Sequence, residues 1–502
     1  MPYYLKIKKL DIKTGQSNIA LLNVDEAMRY GIKAGDKIKI SWQNKSVIAE
    51  ANTSHKRVKP GSIGLYKDIW DKVDIQTNTI AQIDFLQRAK SIQAIKKRLL
   101  GKKLTYDDFY QIFSDISNGI LTRTETTYFV ASSFIRDYDD QELYYMTKAM
   151  AETGEMLKFN SKIVVDKHSV GGLAGNRTTM VVIPIIASLG LTIPKNSSRA
   201  ITSPAGTADT MEVLAPVSFS AAEIKKIVQK TNGCLVWGGG LNLAPADDKI
   251  LQVSYPLSME PYDKMLVSIM AKKVASGVTH LVIDMPVGPT TKIPNMKIAK
   301  ELVRKFKYLA KKFNIKIRVI IIETEDPVGM GVGPALEARD VLRVLQQKDN
   351  YPADLANKAI HLAGELLELA GKAKKGKGAQ MAWKSLESGA AWRKMQEIIK
   401  IQGGNPEVDP NDIVLAAHKK YYNSPKSGCI TFTDNKAINT IARILGAPAD
   451  KLAGIYLNKE YGDHVKKGER LFTLYGRTKE RISLADKALE KLLIFKITKK
   501  KC

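Results

Sequence analysis

The pattern of apolar and polar positions divides the chain into segments with different periods. Short β-rich runs separated by turn residues predict strands at 4–12, 18–22, 37–41 and 46–51. A helical period follows the N-cap residue Thr105, with an apolar stripe at Phe109, Ile112, Phe113 and Ile116. From residue 163 onward strand and helix patterns alternate, which is typical of a sheet with helices on its faces. Near residue 410 the pattern changes again, and 461–476 resembles a hairpin.

These periods predict an α/β multidomain fold. It comprises a small all-α domain and a large α/β sheet domain, with an N-terminal β-barrel of double-psi type and a C-terminal α+β domain. The predicted boundaries are 1–82 for the barrel, 83–158 for the all-α domain, 159–408 for the α/β domain and 409–502 for the last domain. Part of 256–274, predicted as a long amphipathic helix, is expected to cross back to the all-α domain.

The stretch 163–214 carries two small-residue loops of one kind. A β-branched run at 163–165 predicts a strand, followed by a polar glycine-rich turn at 166–176 and a helix at 178–189 that ends at Gly190. A second loop at 197–207 precedes a helix at 208–214. Because small residues let backbone N–H groups approach an anion at a helix N-terminus, we predict that the two loops form two walls of one anion site.

Charge supports an anionic ligand. The 502 residues include 78 Lys+Arg and 51 Asp+Glu, which leaves a formal net charge of +27. The lysines are scattered, with tight runs only at 372–377 and 499–501, so a general bias toward lysine together with an anionic substrate is favoured over nucleic acid as the partner. No apolar run approaches the roughly 20 residues of a membrane helix and no signal peptide is evident, so we expect a cytoplasmic protein without a membrane partner.

Known nucleotide and hydrolase motifs do not fit the first loop. It is neither GxxxxGKS/T nor GxGxxG, and the chain has no HExxH, zinc spacing or GxSxG elbow, so no metal site is predicted. The triplet Lys167-His168-Ser169 offers an ammonium for phosphate charge, a proton carrier and a hydroxyl donor. The alternative is a capped strand end with a hydrogen-bonded histidine. A strand end before Gly171-Gly172 favours the ligand site.

Four motifs together carry a family resemblance: VDKHSVGG, SSRAITSPAGTADTMEVLAPV, LAPADDKIL and SIMAKK. They resemble the thymidine/pyrimidine-nucleoside phosphorylase family, most closely its long branch of type 2 thymidine phosphorylases and AMP phosphorylases. The resemblance covers about 85–490, and the N-terminal barrel also matches the long branch. It implies a pentosyltransferase in which phosphate displaces the base of a nucleoside or nucleotide and leaves a sugar 1-phosphate. It further implies no metal or redox cofactor, inorganic phosphate as co-substrate, and a homodimer or larger homo-oligomer.

The resemblance also implies roles for individual residues. Those that match phosphate contacts are Lys167, Ser169, Thr179, Ser197 and Thr207. Those that match positions beside the base are His168, a candidate catalytic group, and Ser268 and Lys272 on one helix face. Those that match nucleotide contacts of the long branch are Gly172, Ser198, Arg199, Ala200, Ile201, Thr202, Ser203, Thr207, Ser268 and Lys292, with Arg199 an evident phosphate partner.

Two departures leave the substrate open. Nucleoside-specific members carry an arginine where this chain has Val253 and Ser254, and the nucleotide branch places an aspartate where PLSMEP has Glu260. A thymidine-type reaction, giving thymine and 2-deoxyribose 1-phosphate, favours His168 as the acid. An AMP-type reaction, giving ribose 1,5-bisphosphate, favours Glu260. A phosphoribosyltransferase of the related fold and a non-catalytic nucleotide- or RNA-binding homologue are further alternatives.

Overall fold

The computed structural model describes residues 3–15, 18–86, 89–200, 203–254, 261–324 and 326–499. The chain divides into two compact units. The first comprises Met1–Thr153 and Pro245–Pro261, and the second comprises Gly154–Ala244 and Tyr262–Cys502.

A closed barrel forms the start of the first unit. Its strands are β1 (Tyr3–Leu10), β2 (Ile19–Asn23), β3 (Lys37–Trp42), β4 (Lys45–Ser54), β5 (Ser62–Tyr66) and β6 (Ile80–Phe85), with helices α1 (Val24–Arg29) and α2 (Lys67–Trp70). The strand order is β1-β5-β2-β4-β3-β6, in which the β1–β5 and β2–β4 pairs are parallel. The sequence pattern did not predict β5 and β6. β5 is buried at nearly every position, so it lacks the alternation of a half-buried strand.

A helical bundle completes the first unit. It contains α3 (Ser91–Leu99), α4 (Tyr106–Ser117), α5 (Arg123–Ala131) and α6 (Asp140–Glu152), with a 3₁₀ turn at Ser132–Phe134. Thr105 caps α4 in a capping box with Asp108, as its N-cap role predicts. The segment that returns to this unit contains a helix at Pro245–Ser254. Lys249 anchors that helix, because its Nζ donates to the Ile116 and Ser117 carbonyls at the end of α4, at 2.9 Å each.

The predicted crossing helix at 256–274 agrees with the structure in part. A helix is present at Tyr262–Ala275, and the part of the predicted range up to Pro261 groups with the first unit, together with the earlier helix at Pro245–Ser254. The later helix, Tyr262–Ala275, lies in the second unit, where its buried residues include Leu266, Met270 and Lys273.

The second unit is built on parallel strands. These are β7 (Val165–Ser169), β8 (Ile193–Ser197), β9 (Gly233–Trp237), β10 (His280–Val287) and β11 (Lys316–Glu323). β11, β10 and β7 pair in that order, and β8 pairs with β9. The Val165 N–H donates to the Thr192 carbonyl at 2.9 Å, which places β8 beside β7. The chain thus runs outward from β7 to β9 and returns to β10 on the other side of β7. The chain continues from β7 and from β10 in opposite directions along the sheet, and ligands of open α/β sheets bind at such a point.

Helices cover this sheet. They are α7 (Thr178–Ser188), α8 (Thr207–Met211), α9 (Ala221–Thr231), α11 (Tyr262–Ala275), α12 (Met296–Lys312), α13 (Pro334–Leu345), α14 (Ala353–Leu369), α15 (Gly378–Glu387) and α16 (Ala390–Ile401), with a 3₁₀ turn at Gly238–Gly240. The number α10 denotes the helix Pro245–Ser254 of the first unit. From Thr178 to Ala187 every residue of α7 is buried, as expected for a helix that is apolar all round. Gly190 follows α7 with a φ of +83°, in agreement with the predicted C-cap.

The C-terminal region forms two small sheets with two helices. Its elements are β12 (Gly331–Val332), β13 (His418–Asn423), β14 (Gly428–Thr433), α17 (Asn435–Leu445), β15 (Gly454–Leu457), β16 (His464–Val465), β17 (Arg470–Gly476), α18 (Lys479–Leu489) and β18 (Phe495–Thr498), after a 3₁₀ turn at Pro410–Asp412. The strand orders are β12-β15-β17-β13 and β16-β14-β18. The predicted hairpin at 461–476 is wrong, because β16 and β17 join different sheets. The Glu469 carboxylate accepts from the Lys466 N–H at 2.9 Å and fixes the intervening turn.

Candidate active site

Lys167 lies at the centre of a buried cradle. Its Nζ donates to Thr178 Oγ1 at 2.7 Å and to Thr179 Oγ1 at 3.4 Å. Both hydroxyls belong to the first turn of α7, where unpaired N–H groups and the helix dipole favour an anion. Ser169 lies two residues along the same strand, and its Oγ accepts from Asn176 Nδ2 at 3.3 Å. The predicted phosphate ligands Lys167, Ser169 and Thr179 are thus close together.

The strand that carries them is longer than predicted. β7 runs from Val165 to Ser169, whereas the sequence pattern placed a strand at 163–165 and a turn from Asp166. Asp166 and Lys167 are both fully buried, so polar side chains occupy interior positions of this strand. The strand alternation places Lys167 and Ser169 on one face and Asp166 and His168 on the other.

Lys167 keeps a positive charge in spite of its burial. Desolvation lowers its pKa to about 8, while Asp284, whose Oδ2 is 3.4 Å from the ammonium, opposes that shift. At pH 7 the ammonium form therefore still predominates. A phosphate dianion beside it would raise the pKa again, because an opposite charge favours the charged form.

The glycine loop after β7 lies against the loop after β10. Gly172 has a φ of +101°, and a Cβ there would collide with the backbone N of Lys292. This contact brings the exposed Lys292 to the edge of the cradle. Asn435 at the start of α17 holds both loops, because its Oδ1 accepts from the Ala174 N–H at 2.9 Å and its Nδ2 donates to Thr290 Oγ1 at 3.2 Å.

The second predicted wall starts at Ser197, the last residue of β8. Within the described residues, Ser197 Oγ is buried and has no hydrogen-bond partner, so it is available to a ligand. The Asp209 carboxylate folds the loop back on itself by accepting from the N–H groups of Ala200 at 2.7 Å and Gly206 at 2.8 Å. A Cβ on Gly206 would lie 2.5 Å from the Ser198 carbonyl oxygen, so the turn requires glycine.

Arg177 joins the two walls, which the sequence did not indicate. Its Nη1 donates to Thr207 Oγ1 at 3.1 Å, and its Nη2 donates to the Gly175 carbonyl at 2.8 Å. Its Nε lies 2.6 Å from Oε2 of Glu337, which is buried on α13. Burial raises the pKa of Glu337 to about 7, against the stabilising charge of Arg177. The predicted ligand Thr207 is therefore held in the same network as the first loop.

Arg199 already has carboxylate partners. It makes a bidentate contact with Glu212, at 2.5 and 2.6 Å, lies 3.3 Å from Asp209, and stacks over the Trp237 ring at 5.0 Å. Arg199, followed by Lys451, lowers the pKa of Glu212 to about 2. A phosphate that binds Arg199 must therefore displace the Glu212 carboxylate from the guanidinium or share the guanidinium with it. Ser203 is also within the loop, where its Oγ donates to the Ala205 carbonyl at 3.0 Å.

His168 lies near a second cluster of buried charges, formed by Asp166, Lys195 and Lys273. Asp166 is 3.2 Å from Lys195 Nζ and 2.5 Å from Lys273 Nζ. Burial lowers the pKa of His168 well below its ordinary value, and the ammonium groups of Lys273 and Lys195 lower it further. The imidazole is therefore neutral at pH 7. A neutral imidazole can donate one hydrogen bond to a base carbonyl.

Helix α11 presents Ser268 and Lys272 one turn apart, and both are half-buried on a helix whose other side chains are mostly buried. Lys273, their neighbour, reaches Asp166 and so attaches α11 to the site strand. Three predicted residues, Ile201, Thr202 and Glu260, lie outside the described residues. The others lie on β7, at the end of β8, in the loops that follow β7, β8 and β10, at the starts of α7 and α8, or on α11, all within the second unit.

Several charged residues of the site were not predicted: Asp166, Arg177, Lys195, Lys273, Asp284 and Glu337. A signal for some of them existed. Asp284 interrupts the apolar run LVIDMPV, and a charge inside a buried strand needs a partner. Among the residues that the structure describes, no three His, Cys, Asp or Glu side chains come together so that they could hold a metal ion. In the same residues, no helix is both long and apolar enough to cross a membrane.

Three known domain families match the chain in the order of the helical bundle, the α/β region and the C-terminal region. Residues 92–154 match the helical bundle domain of a glycosyl transferase family, and 161–392 match the a/b domain of that family. Residues 429–495 match the pyrimidine nucleoside phosphorylase C-terminal domain. Among solved structures, anthranilate phosphoribosyltransferase from Thermus thermophilus superposes with a TM-score of 0.52 at 19% identity, covering 62% of this chain and 99% of that one. This likeness shows the fold alone.

Relatives match along nearly the whole chain. An AMP phosphorylase from Methanocella arvoryzae is 39% identical and covers 96% of this chain and 95% of its own length. Those from Thermofilum pendens and Methanococcus maripaludis are 40% and 41% identical, covering 97% and 95% of this chain and 93% and 94% of their own. Fold and site define a pentosyltransferase of the nucleoside phosphorylase type. The chain belongs to the long branch of the pyrimidine-nucleoside phosphorylase family, which confirms the predicted resemblance and fold class.

Proposed function

We propose that this protein cleaves nucleoside 5′-monophosphates by phosphorolysis. A phosphate oxygen attacks C1′ of the ribose, the bond from C1′ to the base nitrogen breaks, and the electron pair leaves with the base. The base then takes a proton, and the second product is ribose 1,5-bisphosphate. The names of the relatives, AMP phosphorylases, support this choice over the thymidine-type reaction.

One observation carries the proposal: one cationic side chain lies on β7 and a second lies on the loop after β10, which contacts the loop after β7. Lys167 is buried among the hydroxyls of α7, where an attacking phosphate can be held. Lys292 is exposed and lies against Gly172, where a second anionic group can be met. A nucleoside has no second anionic group, whereas a nucleotide has its 5′-phosphate. The hydrophobic and hydroxyl side chains Val253 and Ser254, in place of the arginine of nucleoside-specific members, agree with this assignment.

The leaving base needs a proton donor. The charges around His168 decide which residue we assign to that role. A neutral imidazole orients the base by a hydrogen bond but is a poor acid, since it has already lost its acidic proton. We therefore assign the acid role to Glu260 and base contacts to His168, Ser268 and Lys272. Positioning the phosphate and the ribose supplies the remainder of the rate enhancement.

A substrate panel tests the proposed function. The protein is incubated with AMP, CMP, UMP, adenosine, uridine and thymidine, each with and without inorganic phosphate, and base release is measured. We expect release from the 5′-monophosphates only when phosphate is present. Release from thymidine exceeding that from every nucleotide would establish the thymidine-type alternative. Phosphate-independent hydrolysis would exclude phosphorolysis altogether.

Ser197→Ala should raise the phosphate KM far more than the nucleotide KM. The reason is that Ser197 Oγ is buried without a partner in the described part of the chain, so a bound phosphate oxygen supplies the missing hydrogen bond. Losing one such bond to a charged group corresponds to about 1.5–3 kcal/mol, or roughly a 10- to 150-fold rise. Steady-state kinetics with each substrate varied in turn measures both constants. Ser424→Ala is the matched control, since Ser424 is buried outside the site and its Oγ already donates to the Lys426 carbonyl at 2.6 Å. An unchanged phosphate KM in Ser197→Ala removes this residue from the site.

A further inference from the structure

Three buried charges form a row through the sheet. Lys167 on β7 lies 3.4 Å from Asp284 Oδ2, and Lys358 on α14 lies 3.3 Å from Asp284 Oδ1. The side chains of Lys167 and Asp284 are completely buried, and that of Lys358 is 9% exposed. Each carboxylate oxygen thus meets a different lysine. We call these three residues the lysine–aspartate row.

The row carries one net positive charge, because two ammonium groups share one carboxylate. Burial opposes the ionisation of Asp284, but Lys167 and Lys358 hold its pKa below the ordinary range, so the carboxylate is charged. Asp284 alone would neutralise Lys167 as a simple pair. With Lys358 present, one carboxylate oxygen of Asp284 faces Lys358 and the other faces Lys167. The row therefore keeps an excess positive charge where the phosphate dianion is proposed to bind.

We propose that Lys358 is a positioning residue for the attacking phosphate. It does not contact the cradle hydroxyls but acts through Asp284, so that Lys167 remains directed to Thr178, Thr179 and the anion. This inference rests on the proposed phosphorolysis, since it assigns the phosphate to the Lys167 cradle. It adds a residue of α14 that no phosphate-binding motif of the sequence contains.

The surroundings of the row determine its response to pH. Lys167 is faced by Asp284 from β10, Lys358 from α14, Arg177 from the start of α7, and the Lys195 Nζ from β8, which donates to the Lys167 carbonyl at 2.8 Å. On its far side Lys358 lines a cleft of about 420 Å³ at the end of β11, whose charged or titratable side chains are Asp326, Asp354, His361 and Glu460. Replacing Lys358 alone leaves all of these other charged groups in the chain. A change in the pKa of Lys167 in that variant therefore reports the loss of the Lys358 charge.

Lys358→Met should raise the phosphate KM at pH 7 by about tenfold or more, the scale of removing one charge several ångströms from an ion in a partly buried site. The nucleotide KM should change by less than about twofold, because the second cationic position, Lys292, belongs to the loop after β10 and not to the row. Lys358→Arg keeps the charge and should stay near the wild-type phosphate KM. Lys305→Met is the matched control: it removes a lysine that is 10% exposed and paired with Asp263 at 2.5 Å, so it also breaks a buried ion pair in the same unit.

The pH profile separates the electrostatic role from a structural one. Phosphate binding needs protonated Lys167, so affinity in the wild-type protein is lost as the pH rises through about 8. Lys358 lowers the pKa of Lys167, so Lys358→Met raises that pKa and moves the alkaline loss of affinity to higher pH. A variant that is merely misfolded would weaken binding without this displacement.

Isothermal titration of the wild-type and variant proteins with inorganic phosphate provides a readout that does not depend on turnover. Weaker phosphate binding in Lys358→Met, retention in Lys358→Arg and in Lys305→Met, and the shifted pH profile together support the inference. Equal phosphate affinity in Lys358→Met and wild type overturns it, as does equal weakening in Lys305→Met. If the substrate panel shows no phosphorolysis while the phosphate titrations follow the expected pattern, the proposed function fails and the role of Lys358 stands.

Discussion

Glu260→Gln should lower kcat on a purine 5′-monophosphate at least about a hundredfold, the effect of removing a general acid. The departing base gains negative charge as the glycosidic bond lengthens, and a carboxylic acid beside it can transfer a proton in the transition state. Glutamine keeps the size and hydrogen-bonding capacity of the side chain but cannot give up a proton. The nucleotide KM should change little, since the interaction is made only in the transition state.

His168→Asn should have a smaller effect on the same substrate. Burial, followed by the charges of the surrounding lysines, lowers the pKa of His168 and keeps its imidazole neutral at pH 7, so the histidine contributes a hydrogen bond that asparagine partly replaces. Glu397→Gln is the control, because this carboxylate pairs with Lys394 on α16 and its side chain is 53% exposed. Near-full kcat in both Glu260→Gln and His168→Asn would mean that neither is the acid. A larger loss in His168→Asn would transfer the acid role to the histidine.

Asp166→Asn should strongly destabilise the second unit. Asp166 is the shared partner of Lys195 and Lys273, which are 4% and 2% exposed, and removing one member of a buried ion cluster costs about 3–5 kcal/mol. For a unit of this size the expected fall in Tm is roughly 4–7 °C. Burial already lowers the pKa of Lys195 to about 7, so in the variant this lysine should lose its proton and limit the cost. Thermal unfolding followed by calorimetry measures the change.

The pH dependence of this effect has a definite sign. Although burial opposes it, the two lysines lower the pKa of Asp166 from its ordinary value of 3.8. The stability that the ionised carboxylate contributes is therefore present above pH 3.8 and is lost as the pH falls through the lower pKa of the folded state. The difference in the free energy of unfolding between wild type and Asp166→Asn should become smaller at acidic pH. Glu397→Gln, which removes an exposed pair, should change stability by less than about 1 kcal/mol at neutral pH. An equal loss of stability in Asp166→Asn and Glu397→Gln would show that the buried ion cluster contributes no more stability than an exposed ion pair.

Local patterns predicted the elements whose signals lie within a few residues. Thr105 is the N-cap of α4, as the helical period after it predicts. The helix predicted at 178–189 forms at Thr178–Ser188 and is followed by Gly190. Caps and helical periods depend on neighbours along the chain, so a sequence is sufficient to recognise them. The pairing of β16 with β14, and of β17 with β13 and β15, was not predictable in this way, because each partner lies in another segment of the chain.

The sequence by itself determined the fold class, the two small-residue loops and the order of the motifs that identify the family. Lys167, Ser169, Ser197 and Thr207 were assigned from those motifs, and the structure places them on strand ends and helix starts of one unit. Only the tertiary structure decided how the charges are paired. Asp284 is 117 positions from Lys167 in the chain, a distance over which no local pattern operates, and they meet because β10 returns to the side of β7. Buried charges must find partners wherever the sheet brings them, so that pairing is a property of the fold and not of any motif.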